Sequence, residues 1–418
     1  MSTEFFKIGD VNVANIKNNS EMVTFGIAVK AGSIFETPDI AGISHFSEHM
    51  FFKGTKKRTW NQIDMEIARM GASNNAWTSE NNVYYHITCP KYNVEKAIDI
   101  MMDMFFNSTF PEDELEKERT VILEEMQMYK DDPKTDFHFT SRANFLNWNY
   151  GHHIIGTEDT VKGINREKMV KYLEEKTNAD NIVFICSGDI DTEDLKRYIG
   201  FRLPPVHPYL KKGTPNTVKA DFWSDSINSP DKIKFTYKKD NIQQCSVTMY
   251  IKGISTLDKR HSASKVLLNA LGGGCFSALF KRIRGELGLC YTVGMGESRL
   301  QYPDDSIIGV YGYTAEKNIE SFIIETEKIL KDVIANGISE ELFQCSKEDE
   351  LAALIRGTET SAGLASALMD KYLIGDYTHL EDSIAKLKKV TIEDCNELAK
   401  DLLNQQYNWT VMVPANVG

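Results

Sequence analysis

The chain has 418 residues, 42% hydrophobic and 26% charged, with a formal net charge of -12. That length suits two domains of about 200 residues each, and the composition is that of an ordinary globular protein. The acidic balance argues against nucleic acid as the main partner and permits cationic ligands, basic peptides among them.

The first residues, MSTEFFKIGDVNVANIKNN, carry neither a basic-then-apolar secretory pattern nor an Arg-rich transit pattern. No apolar run reaches the length of a membrane span. The seven cysteines are odd in number and include no CxxC pair, so neither a disulfide framework nor a thiolate metal site is expected. A cytoplasmic protein without a membrane partner is the expectation.

MVTFGIAVKAGS (Met22–Ser33) reads as a strand. A helix follows over about 40–53, with Asp39 or Ser44 as its cap and Gly54 at its end. SNNAWTSENNVYYHITCP (Ser73–Pro90) alternates like strands, and helices follow from Asn93 and in PEDELEKERTVILEEMQMYKDDP (Pro111–Pro133). Residues 206–236, rich in Pro, Gly, Ser and Asn, read as a linker between a domain at 1–205 and another at 237–418.

The second half repeats the order: CSVTMYIKGIS as strand, GGCFSALFKRIRGELG as helix, SIIGVYGYT as strand, then helices from Asn318. This points to an internal duplication. Laying HFSEH on CFSAL sets Cys275, Ala278 and Leu279 opposite His45, Glu48 and His49, and Ala352 falls opposite Glu125. The second copy is therefore expected to keep the scaffold and lack the ligands.

His45 and His49 sit one helical turn apart, the spacing that lets two imidazoles hold one ion. Glu48 lies on the same side, close enough to act on a water without occupying a ligand position. A catalytic zinc takes three protein ligands and keeps one position open. The helix after Pro111 offers Glu118, Glu124 and Glu125. Glu118 and Glu125 share one face while Glu124 points away, so Glu125 is the expected ligand and Glu118 the carboxylate that orients an imidazole or water. Zinc is the default for two histidines and a glutamate, with manganese or cobalt as alternatives. His86 and the loop pair His152 and His153 read as structural.

HFSEHMFFKGTKKR together with ERTVILEEMQM resembles the inverted-motif zinc peptidases, the family of pitrilysin, insulin-degrading enzyme and the mitochondrial processing peptidase. NNAWTSENNVYYH is similar to the family's Asn-Ala-x-Thr-Ser strand, which implies that Asn75, Ala76, Trp77 and Thr78 border the cleft and take substrate as an added strand. The bulk of Trp77 is expected to shape subsite preference. LFKRIRGELGLCYTV resembles the second-copy segment bearing an arginine and a tyrosine, here Arg284 and Tyr291, expected on a substrate carbonyl or oxyanion.

The resemblance covers nearly the whole chain, GTEDTVKGI and NIVFICSGDI included. It implies an α+β fold of two homologous domains, each a mostly antiparallel sheet with helices on one face, together forming half of a clamshell. It also implies one zinc per chain and a peptidase acting on unfolded or short peptides in an enclosed chamber, with Glu48 as general base. Related chains of four such domains place zinc in the first and the Arg/Tyr pair in the fourth. A two-domain chain is then expected to form a homodimer whose sites are completed in trans. The alternative is a non-catalytic substrate-binding or assembly subunit, which would have no evident need for the whole ligand set.

Overall fold

Runs of β-branched and aromatic residues pair into two sheets of one design. In the computed structural model, which describes residues 2–218, 233–301, 305–373 and 375–415, the first sheet contains β1 (Ser2–Ile8), β2 (Val11–Lys17), β3 (Met22–Val29), β4 (Ser73–Thr78), β5 (Val83–Pro90) and β6 (Ile182–Gly188). Its order is β1-β2-β6-β3-β5-β4, antiparallel except between β2 and β6. The second sheet contains β7 (Ile233–Lys239), β8 (Cys245–Lys252), β9 (Cys290–Gln301), β10 (Asp305–Thr314) and β11 (Trp409–Pro414). Its order is β7-β11-β8-β10-β9, again with one parallel pair, β7 with β11. Without β1, the first sheet has the same order and the same strand senses as the second. The expected α+β fold and its duplication are both present.

Helices of the first half include α1 (Ile43–Met50), α2 (Trp60–Arg69), α3 (Val94–Asn107), α4 (Glu112–Asp131) and α5 (Pro133–Phe145). Element order corrects one detail of the sequence comparison. The helix that follows β8, as α1 follows β3, is His261–Gly272, so Cys275–Leu279 fall beyond the counterpart of α1. The shared Phe-Ser of HFSEH and CFSAL had suggested a later register. Alanines, Ala352 and Ala353, do occupy the turn of the helix Glu340–Gly357 that matches Glu125. A polar link between the matching helices persists there, as Asn269 Nδ2 donates to Asp349 at 3.0 Å and to Glu350 at 2.9 Å.

The described residues between 2 and 128, 152 and 218, and 356 and 379 form one compact unit; those between 129 and 151, 233 and 355, and 380 and 415 form another. This exchange of segments cuts across the limits 1–205 and 237–418, and residues 219–232 of the linker read at 206–236 lie outside the described residues. Its physical cause is that β3 and β6 are buried on both faces. Tyr85, whose ring meets Phe51 and Phe105, marks the face under α1 and α3. The opposite face of β3 carries Thr24, Gly26 and Ala28, and the helix Ser361–Leu373 packs on β3 and β6. In the second unit α5 plays that part, with Phe145 against Tyr250 at 5.3 Å and Ser141 Oγ 3.1 Å from Tyr250 Oη.

The start of α1 is fixed by a buried carboxylate. Gly42 precedes the helix at φ +92°, and a Cβ there would lie 2.4 Å from the Ile155 carbonyl oxygen, so only glycine fits. Neither Asp39 nor Ser44 caps the helix with its side chain. Instead Glu36, fully buried, accepts from the N–H groups of Gly42 and Ser44, both at 2.8 Å. Its Oε2 also lies 3.1 Å from His152 Nε2. A negative charge at a helix start complements the exposed N–H groups and the helix dipole. Glu36→Ala leaves those two donors without their acceptor and is expected to cost about 2–4 kcal/mol of stability. Urea unfolding beside wild type measures it; a loss below about 0.5 kcal/mol would mean that the clamp holds nothing.

Candidate metal centre

Ile43, Phe46 and Met50 bury one stripe of α1, which turns His45 and His49 side by side to the other. Their ring centroids are 4.6 Å apart. Leu115, Ile122 and Met126 bury the inner stripe of α4 and bring Glu118 and Glu125 against those rings. Glu125 Oε2 lies 3.8 Å from His45 Nε2 and 3.7 Å from His49 Nε2. One ligand-type atom from each of the three residues lies within 4.8 Å of the others, and no other such group of three occurs among the described residues.

These separations are too long for hydrogen bonds. They exceed by about half an ångström the roughly 3.3 Å edge of a tetrahedron of nitrogen and oxygen ligands around zinc. Two neutral-capable imidazoles and a carboxylate are the donor set that zinc accepts while keeping a position open. The residues present therefore fit the ion.

Second contacts orient the rings. His49 Nδ1 lies 2.8 Å from Glu118 Oε1, and an N–H donated there leaves the Nε2 lone pair turned toward Glu125. Lys53 holds the other oxygen of Glu118. Burial alone would raise the Glu118 carboxyl, but the bonds from His49 and Lys53 outweigh it and hold it below the usual range. Burial disfavours charged His49, yet the Glu118 bond and the charges of Glu48, Glu118 and Glu125 raise it on balance. His45 goes the other way: burial, then His49 and His153, bring it down to about 3, so its ring is neutral with a lone pair available.

Glu48 is buried next to this group, and its carboxylate accepts from Thr78 Oγ1 at 2.6 Å. Burial raises its carboxyl above the usual range against the lowering effects of Thr78 and His49. β4, which carries Thr78, is the edge of its sheet. Alternation along β4 sets Ala76 on the side of Thr78 and turns Asn75 and Trp77 to the opposite face. There Trp77 packs on Tyr84 at 4.7 Å and His86 at 5.6 Å. Of the four strand residues singled out in the sequence, Thr78 bonds to the cluster on α1 and α4, and the bulk of Trp77 turns away from it.

Arg284 and Tyr291 belong to the second unit. The Arg284 guanidinium sits 4.6 Å from the Phe280 ring centre and 4.7 Å from that of Tyr291. Tyr291 is 70% exposed, so it is no core tyrosine. Cys290 beside it is held up at about 11 by burial, which makes it an inert thiol. Sequence reasoning missed Glu36. Its signal was faint: an acid seven residues before the helix, with its partner His152 in a distant loop.

Residues 12–158 match the profile described as insulinase, peptidase family M16, and residues 163–348 match the M16 inactive domain. An uncharacterized zinc protease of Bacillus subtilis, YmxG, is 31% identical over 96% of this chain and 95% of its own. Another, from Streptomyces coelicolor, is 26% identical over 94% of this chain and 84% of its own. The crystal structure of a Helicobacter pylori protease superposes with a TM-score of 0.89 over 99% of both chains, at 20% identity. That of a putative M16-like peptidase from Alicyclobacillus acidocaldarius gives 0.83 over 99% and 98%, at 19% identity. Profiles on both halves and a relative matched along nearly its full length lead to one conclusion: the chain belongs to peptidase family M16, the insulinase family.

Proposed function

We propose that the protein is a zinc-dependent endopeptidase acting on unfolded or short peptides. The observation that carries this reading is the convergence of His45, His49 and Glu125 with Glu48 buried beside them. Relatives named zinc proteases along nearly the full chain support it. His45, His49 and Glu125 hold one zinc ion per chain; when bound, it supplies Lewis acidity that acidifies a water and polarises a carbonyl.

Glu48 takes the proton from the attacking water and returns it to the leaving amine. Thr78 fixes the carboxylate oxygen that it touches, and Glu118 fixes the His49 tautomer. The outer edge of β4 pairs with the substrate backbone, a mode that admits extended peptides and rejects folded ones. Net charge favours basic peptides. Arg284, held between two rings, and the exposed Tyr291 donate to the substrate carbonyl or oxyanion. In a homodimer, the metal ligands of one subunit work with Arg284 and Tyr291 of the other.

Glu48→Gln preserves the shape of the site and removes its base. Its cleavage of an unstructured peptide pool, read by mass spectrometry, is expected to fall about 10²–10⁴-fold with zinc still bound. A wild type that carries zinc and cleaves nothing would sink the peptidase and favour a binding or assembly subunit. Glu118→Gln is expected to weaken zinc binding about 10–100-fold, measured by competition with a chromophoric chelator. Completion in trans is tested by mixing inactive Glu48→Gln and Arg284→Ala subunits under conditions of exchange. Mixed dimers then carry one intact site in two, and recovery of about a quarter of wild-type activity is expected for random pairing. No recovery despite exchange would place both parts in one subunit.

A further inference from the structure

The two units differ on the sheet faces that turn away from their main helices. The 3-10 turns Lys91–Asn93 and Glu316–Asn318 lead into matching helices and fix the register between the copies. Tyr84 then corresponds to Gly309, and strand pairing sets Trp77 on Gly296. In the first unit that space is filled by the stacked rings of Tyr84 and His86 with Trp77 packed at an angle against both.

In the second unit the places of Trp77 and Tyr84 are taken by Gly296 and Gly309; the Tyr250 ring lies over Gly309, and a cavity of about 450 Å³ opens beside it. Phe137 and His138 of α5 form one wall, Tyr250 and Tyr311 another. A Cβ placed on Gly296 meets no atom within 4 Å, so the space above it is open. Tyr311, in the place of His86, is 45% exposed and lines the cavity with its ring. Glycine inside a strand weakens it and packs nothing, and it recurs where a ligand must come close to the backbone.

We propose that this cavity receives an aromatic side chain, above all an indole, over Gly296 and against Tyr311. The second unit thereby takes from a ligand the ring that the first unit supplies from Trp77. On the peptidase reading, the ring belongs to a peptide; the pocket itself rests on the geometry alone. Aromatic rings bury a large area with few torsions to freeze, which suits them as anchors.

The test is titration of the full chain with N-acetyl-L-tryptophanamide, followed by saturation-transfer NMR, with N-acetyl-L-alaninamide as control. Saturable binding of the indole alone is expected, weakened at least about tenfold by Gly296→Trp and by Tyr311→Ala. No saturable binding by wild type, or equal binding by folded variants, overturns the pocket. If Gly296→Trp does not fold by circular dichroism, Tyr311→Ala decides. Displacement of the probe by an unstructured peptide with one tryptophan, and not by its alanine counterpart, assigns the ring to a peptide. Failure to displace overturns that assignment, and a free aromatic compound is then the ligand. Neither readout needs hydrolysis, so failure here and failure of the peptidase are told apart.

Discussion

Glu36, a carboxylate without access to water, holds the first turn of α1, and the metal-type cluster depends on that hold. Two histidines one turn apart can converge on one point only if their helix cannot rotate about its axis. Ile43, Phe46 and Met50 set the rotation by burial, and the two bonds from Glu36 set the position of the helix start. At the other end Glu118 on α4 ties His49 and Lys53 together. α1 is short, eight residues, and has little propensity of its own to rely on. Its anchors are Glu36 with His152, Tyr172, whose Oη lies 2.7 Å from Ser44 Oγ, and Glu118, and a buried carboxylate that accepts several bonds is a stiff anchor.

The two sheets show what a duplication keeps and what it releases. Strand order and strand sense are common to both because each follows from pairing and from burial of alternate residues. Ligands are not needed for that, and the second copy has alanines where the first has Glu125. Asn269 still bonds to Asp349 and Glu350 across the matching helices. The polar link has lost its ligand chemistry and kept its bridging role. The exchange of α5 and Ser361–Leu373 covers the second face of each sheet, which a single copy of the repeat would leave exposed.

Much of this was legible in the sequence because it is local and periodic. His45, Glu48 and His49 share a helix, Glu118 and Glu125 share another, and helical spacing alone decides which face each takes. The strand that carries Thr78 alternates visibly. What stayed hidden depends on contacts between distant segments. Glu36 binds a helix start across a loop, and His152 reaches it from more than a hundred positions away. Small residues in SAGLASALMDKYL announce close packing but not which sheet receives it. The shift from CFSAL to His261–Gly272 as the partner of α1 arose because a short motif outweighed element order, which only the pairing of strands reveals.

The face of β4 joins these threads. Thr78 and Trp77 are neighbours in sequence, yet alternation sends one to Glu48 and the other to the far side of the sheet. A large residue at position 77 therefore has little effect on Glu48 and a large one on how the far side is filled. The same logic at the matching strand gives the opposite result: Gly296 leaves the far side open while the near side keeps its core residues Val293 and Met295. Strand geometry thus separates the two tasks within each unit. One face can be tuned for chemistry or stability while the other is filled or emptied, and the two copies have taken different choices on the same scaffold.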